Sequence, residues 1–191
     1  MEAERERNEE LKSLGEKTVS SEQVFDGRLL KVYRDQVLLP NGKKTGREYI
    51  RHNGAVCIAA LTDDGRIVVE RQYRYPFDRV ITELPAGKLD SPDEDPLEAA
   101  ARELKEETGI TADSMEYLGG LIPTCAYSTE LIHMYLARGL HFGDRRLDED
   151  EFLNVSLMPL SELVDRILKG EIMDSKTQAA ALKAWLRTGH R

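Results

Sequence analysis

The stretch from Asp95 to Gly109 leaves the chain little conformational choice. Asp95 suits an N-cap and Pro96 the first helical position. Glu98 stands where it completes a capping box and Gly109 where a helix stops, so the spacing predicts a helix over Pro96–Thr108. Leu97, Ala100, Ala101 and Leu104 form the apolar stripe that would dock it on a sheet. Beside that stripe Glu103, Glu106 and Glu107 crowd into about one turn, with Glu103 and Glu107 on a single face. Like charges at this spacing cost about 0.2–0.5 kcal/mol each, and anions at a helix C-terminus oppose its dipole. Two readings follow. The glutamates are a solvated face balanced by Arg102 and Lys105, or they hold a hard divalent cation, for which clustered carboxylate oxygens are the preferred ligands.

Around this helix the pattern is rich in strands. Val19–Phe25, Leu29–Leu39 and Arg47–His52 are separated by Asp26-Gly27 and Asn41-Gly42, both strong hairpin signals. A sheet this small cannot bury a core alone, so it must pack on the rest of the chain or on a second subunit, and a dimer is the natural solution. Further strands are expected at Ala55–Thr62, Ile67–Tyr73, Ile81–Leu84, Leu131–Ala137 and Phe152–Leu157, and helices at Leu160–Lys169 and Lys176–Arg187. Strands flanking single helices predict an α/β fold, a mixed sheet sandwiched by helices, plus the small N-terminal antiparallel sheet. The expected division is a charged tail or helix over residues 1–16, a dimerisation sheet over 17–52 and the main domain over 53–191.

At 191 residues the chain holds one main domain and at most a small appended piece. A net charge of −8 argues against a nucleic-acid partner, which needs clustered Lys and Arg, and implies that an anionic substrate would need a local cation source such as a bound metal. The apolar run Ala55–Leu61 is far short of a membrane span, and the charged N-terminus lacks the apolar centre of a secretory signal, so a cytoplasmic location is expected. Cys57 and Cys125 have no zinc-type spacing and read as unpaired thiols, Cys57 in the core.

Gly87-Lys88-Leu89-Asp90-Ser91-Pro92-Asp93-Glu94, followed by Arg102-Glu103-Leu104-Lys105-Glu106-Glu107-Thr108-Gly109-Ile110, resembles the Nudix box, GX5EX7REUXEEXGU with U apolar. Every fixed position from Glu94 onward matches. Six residues rather than five separate Gly87 from Glu94, an insertion in the loop before the helix. The resemblance implies a Nudix α/β/α sandwich that cuts a diphosphate bridge with magnesium, or manganese, at two or three ions per site. It implies Glu103 and Glu107 as metal ligands, with Glu106 adjacent and also a catalytic candidate. The carbonyl of Ala86 can add a ligand, while Arg102 and Glu94 tie the helix to its loop.

The likeness extends over roughly residues 17–187 to the ADP-ribose pyrophosphatase branch. It is carried by Arg47-Glu48, Gln72-Tyr73-Arg74, Glu83-Leu84-Pro85-Ala86-Gly87-Lys88-Leu89, Gly170-Glu171-Ile172 and Asp174-Ser175-Lys176-Thr177. It implies a homodimer with exchanged N-terminal sheets and ADP-ribose as substrate, with GDP-mannose or another nucleotide sugar as the alternative. A degenerate module that senses a nucleotide without cutting it is the non-enzymatic alternative. Arg74 resembles an arginine that contacts the phosphates and Glu83 a residue that contacts substrate. Arg51 is expected to reach the adenosine half across the dimer, with Tyr33 or Tyr49 as candidates to stack on the base. The branch commonly has Pro-Gly where this chain has Cys125-Ala126, within Pro123–Glu130, so the substrate-side loop is expected to differ. For the general base, the segment Leu147–Val155 places an acidic run directly before a Phe-X-X-Val strand, and related pyrophosphatases place a catalytic glutamate on a loop here. Glu151 matches it, Glu149 is the reserve and Glu130 the third choice.

Overall fold

The computed structural model describes residues 2–145 and 152–189, with residues 2–4 and 8 as backbone only. The chain forms two compact units: the N-terminal 52 residues together with Thr124–Thr129, and Asn53–Pro123 together with Glu130 onward.

In the first unit helix α1 (Glu2–Leu14) precedes strands β1 (Lys17–Asp26), β2 (Lys31–Leu38) and β3 (Lys44–Arg51), which pair antiparallel in that order. Both expected hairpins close: Gly27 N–H donates to the Leu30 carbonyl at 2.9 Å, and Gly42 takes φ +80°, a conformation that costs an L side chain energy. The segment Thr124–Thr129 lies along the edge of β3, with Ile50 N–H donating to Tyr127 O and Thr129 N–H to Ile50 O at 2.9 and 3.0 Å. The loop in which Cys125-Ala126 replaces the usual turn thus belongs with the N-terminal sheet. Every residue of β1 is exposed.

The second unit is built on strands β4 (Ala55–Ala60), β5 (Arg66–Arg74), β6 (Arg79–Glu83), β7 (Ala86–Lys88), β8 (Ile110–Leu121), β9 (Ile132–Phe142) and β10 (Leu153–Pro159). They make a mixed sheet ordered β7-β4-β9-β8, in which β4 runs parallel to β9, and an antiparallel sheet ordered β10-β5-β6. Helices α2 (Pro96–Thr108), α3 (Leu160–Leu168) and α4 (Ser175–Arg187) cover the faces. β4 is buried throughout, and its alternation defines the two cores. Val56, Ile58 and Ala60 meet Ala99, Ala100 and Leu104 of α2, whereas Ala55, Cys57 and Ala59 join a cluster with Leu163 of α3 and Ala180, Ala181 and Ala184 of α4. This is the expected α/β/α sandwich.

Two expectations need correction. The buried stripe of α2 is Ala99, Ala100, Leu104 and Glu107, while Leu97 and Ala101 face solvent. The helix is turned to bring a carboxylate inward, which is tolerable because Glu107 finds a backbone N–H there. Burial of Leu104 contributes roughly 1.5–3 kcal/mol, several times the like-charge penalty on this helix. The twelve-residue β8 is an additional strand, and β9 runs five residues past the expected end at Ala137. Much of β8 is exposed, and its register shifts at Tyr117/Gly119, so it carries no clean period-two signal; pairing with β9 defines it.

Candidate active site

The site grows from α2 and the chain that precedes it. Asp95 caps the helix, accepting from Leu97 N at 2.7 Å and Glu98 N at 3.3 Å, and Gly109 ends it at φ +72° with its N–H on Lys105 O. β7 pairs with β4, Cys57 opposite Ala86 and Val56 opposite Gly87, which sets the backbone of Ala86 and Gly87 beside the last turns of α2. Glu107, only 6% exposed, accepts the Ala86 N–H at 3.0 Å. The Glu103 carboxylate lies directly on Gly87, in the space a Cβ there would fill. Arg102 gathers the rest. Its Nε and Nη2 donate to Glu94 at 3.1–3.3 Å and Nη2 to Lys88 O at 3.4 Å, while Nη1 donates to Glu103 at 2.8 Å and Glu106 at 3.2 Å. Burial works against the Arg102 charge, but these carboxylates outweigh it and the guanidinium is held firmly protonated. Glu94 also accepts the Asp90 N–H, so the loop with the extra residue is tied back to the helix. Burial disfavours its ionised form, yet that hydrogen bond, the larger effect, and Arg102 hold its carboxyl below the ordinary range.

A second charged cluster lies where β5, β6 and α4 meet. Glu83, 4% exposed, receives a bidentate pair from Arg74, Nε at 2.6 Å and Nη2 at 2.8 Å. Lys176 donates to the same carboxylate and, at 3.1 Å, to Asp174. Asp174 is the N-cap of α4. It accepts from Thr177 N and Oγ1 at 3.0 and 2.6 Å, and Thr177 Oγ1 in turn accepts the Leu84 N–H at 2.9 Å. Burial pushes the Glu83 carboxyl up, but Arg74 and Lys176 outweigh it and hold it below its usual value. Burial likewise opposes the Lys176 charge, and Asp174 and Glu83 more than restore it. Lys176, Asp174 and Thr177 carry no assigned role in the sequence; the available signal is an N-cap aspartate two residues before a lysine, on a helix whose next turns are buried alanines. Cys57 sits beneath both clusters, its thiol pushed far up by burial, an inert core residue.

The structure therefore brings together Ala86 with Glu107, Gly87 with Glu103, and Arg74 with Glu83. Glu130 is half-buried in the same unit. Arg51 belongs to the N-terminal unit, where its guanidinium lies 3.8 Å from the Tyr33 ring centroid and donates to Tyr49 Oη at 3.1 Å, so Tyr33 stacks on an arginine. Glu149 and Glu151 lie outside the described residues. Among the described residues no three His, Cys, Asp or Glu side chains converge on a metal-sized point. The donors that α2 and Ala86 present are all hard oxygens, the chemistry magnesium or manganese prefers. No helix among the described residues is long and apolar enough to cross a membrane.

Comparison with known proteins fits this geometry. Residues 16–50 match the nucleoside diphosphate sugar hydrolase N-terminal domain. A methanol dehydrogenase activator of Bacillus methanolicus is 44% identical over 86% of this chain and 90% of its own. An ADP-ribose pyrophosphatase of Bacillus subtilis is 41% identical over 89% and 92%. The crystal structure of an ADP compounds hydrolase superposes with a TM-score of 0.78 over 91% of this chain and 95% of that one, at 24% identity, and shows the same fold. With residues 51–180 matching the NUDIX domain, and with a capped carboxylate helix docked on a Gly-containing strand at its centre, the chain belongs to the Nudix family.

Proposed function

We propose that this chain hydrolyses the diphosphate bridge of nucleoside diphosphate sugars, with ADP-ribose as the substrate and AMP and ribose 5-phosphate as products. The observation that carries this is the anchoring of two helix carboxylates on one strand, Glu107 on the Ala86 N–H and Glu103 on Gly87. Similarity to the Bacillus subtilis ADP-ribose pyrophosphatase supports the choice of substrate.

A diphosphate repels an incoming nucleophile. Magnesium or manganese ions, two or three per site, would supply the neutralising charge and acidify the attacking water. Glu103 and Glu107 would hold these ions, with Glu106 adjacent and the Ala86 carbonyl as a further oxygen donor. Arg102 is shared by Glu94, Glu103 and Glu106, so it keeps the helix and its loop in register. Arg74, with Nε and Nη2 on Glu83, keeps Nη1 outside that pair for a phosphate oxygen. Glu83 orients Arg74. Glu151 takes the proton of the attacking water, with Glu149 as reserve and Glu130 third; Arg51 serves the adenosine half in a homodimer whose N-terminal sheets are exchanged.

A panel of nucleotide sugars with magnesium, read by release of nucleoside monophosphate, tests this. AMP from ADP-ribose at the highest kcat/KM is the expected result. Faster release of GMP from GDP-mannose would move the substrate assignment, and binding of ADP-ribose without AMP formation would favour a sensor.

A further inference from the structure

The Arg74–Glu83–Lys176–Asp174 cluster holds two cations and two carboxylates, almost out of water: the side chains of Glu83 and Lys176 are 5% and 14% exposed. Arg74 is the most open member at 40%. Lys176 is committed on two sides, to Glu83 and to Asp174, and its place is set by the N-cap of α4, where Asp174 also takes the Thr177 N–H. At 14% exposure it is much less open to solvent than Arg74. Without Lys176, one guanidinium would answer Glu83 and Asp174 together. Drawn into that excess of negative charge, it would be a poorer partner for an incoming anion.

With Arg74 read as a contact to the diphosphate, on which this assignment rests, we propose that Lys176 is a positioning residue. It neutralises Glu83 from behind, so that the Arg74 guanidinium stays fixed by two hydrogen bonds yet keeps its charge and its Nη1 donors for the substrate phosphate. Lys176 itself touches no substrate. Its removal therefore weakens substrate binding rather than the chemical step.

The test is steady-state kinetics with ADP-ribose at saturating magnesium on Lys176→Met, Lys176→Arg, Arg74→Ala and the Arg74→Ala/Lys176→Met double variant, with thermal melting to confirm folding. Lys176→Met should raise KM about tenfold, the scale of one charge-assisted hydrogen bond, with kcat within about threefold. Lys176→Arg should recover most of that loss. In the Arg74→Ala background, Lys176→Met should add less than about twofold, because its effect passes through Arg74. An unchanged KM in Lys176→Met, a loss confined to kcat, or a full second increment on top of Arg74→Ala would overturn the proposal. Arg74→Ala with wild-type KM would overturn the phosphate role of Arg74 itself, a distinct result. Should Lys176→Met melt below the assay temperature, Lys176→Gln, which keeps a hydrogen-bond donor, replaces it in every comparison.

Discussion

Glu107 shows how one residue can break a local rule to tertiary advantage. It is a carboxylate near a helix C-terminus, beside two others, and it is buried; each of these is unfavourable alone. The Ala86 N–H offsets part of the cost, and a divalent cation would offset the remainder. Glu107→Gln keeps an oxygen to accept that N–H, so the fold should survive while turnover at saturating magnesium falls by about 10²-fold or more, the loss expected when several kcal/mol of transition-state charge stabilisation go. Near-normal turnover would show that Glu107 is no metal ligand. The base is tested in parallel. Glu151→Gln should lower kcat by about 10²–10⁴-fold with little change in KM. A large loss in Glu149→Gln with almost none in Glu151→Gln would transfer the role, and no loss in either would leave the water to the metal and box carboxylates.

At the scale of elements, α2 was readable to the residue because its signals are local. Cap, first-turn proline and terminal glycine are all satisfied within the helix and its neighbours, and the observed bounds are Pro96–Thr108 as expected. Its partner β7 was invisible: three residues, Ala86–Lys88, carry no periodicity, and only pairing with β4 makes them a strand. Yet the glycine in β7 decides where the Glu103 carboxylate can lie. Gly87→Ala would place a methyl group where the Glu103 carboxylate lies, so Glu103 must swing away. Turnover should fall about 10–100-fold, the usual cost of disturbing the support of a metal ligand. The melting temperature should change little, since Glu103 is a flexible side chain. Full activity in this variant would show that the Glu103 position is not needed.

For the whole molecule, two properties follow from what is buried and what is not. β1 is exposed along its length, and Val19, Val24 and Phe25 are apolar residues left at that surface. A three-stranded sheet with such a strand calls for a covering partner. Sedimentation should show a homodimer at micromolar concentration, and a stable, active monomer would rule it out. Acid stability depends on Glu83. Its folded-state pKa is depressed, so its contribution is complete above the unfolded value, about 4.3, and is lost as pH falls through and below it toward the folded value. Chemical denaturation of the wild type and Glu83→Gln should show a stability gap that is constant near neutrality and closes below about pH 4. A gap unchanged down to about pH 3 would mean that the Glu83 pKa is not depressed in the fold.

The amino-acid sequence by itself determined the helix α2, both N-terminal hairpins, the buried strand β4 and the family resemblance, because caps, Asp-Gly and Asn-Gly turns and a spaced run of fixed residues need only near neighbours to be recognised. Only the tertiary structure decided which face of α2 is buried, that β8 is a twelve-residue strand, and that Thr124–Thr129 lies along β3. It also decided that Lys176 meets Glu83 across 93 residues of chain. A lysine drawn largely out of water reads in the sequence like any surface lysine. What distinguishes it is the company of Arg74, Glu83 and Asp174, which arrive from β5, β6 and the start of α4 and become neighbours only when the sheet and its helices close over them.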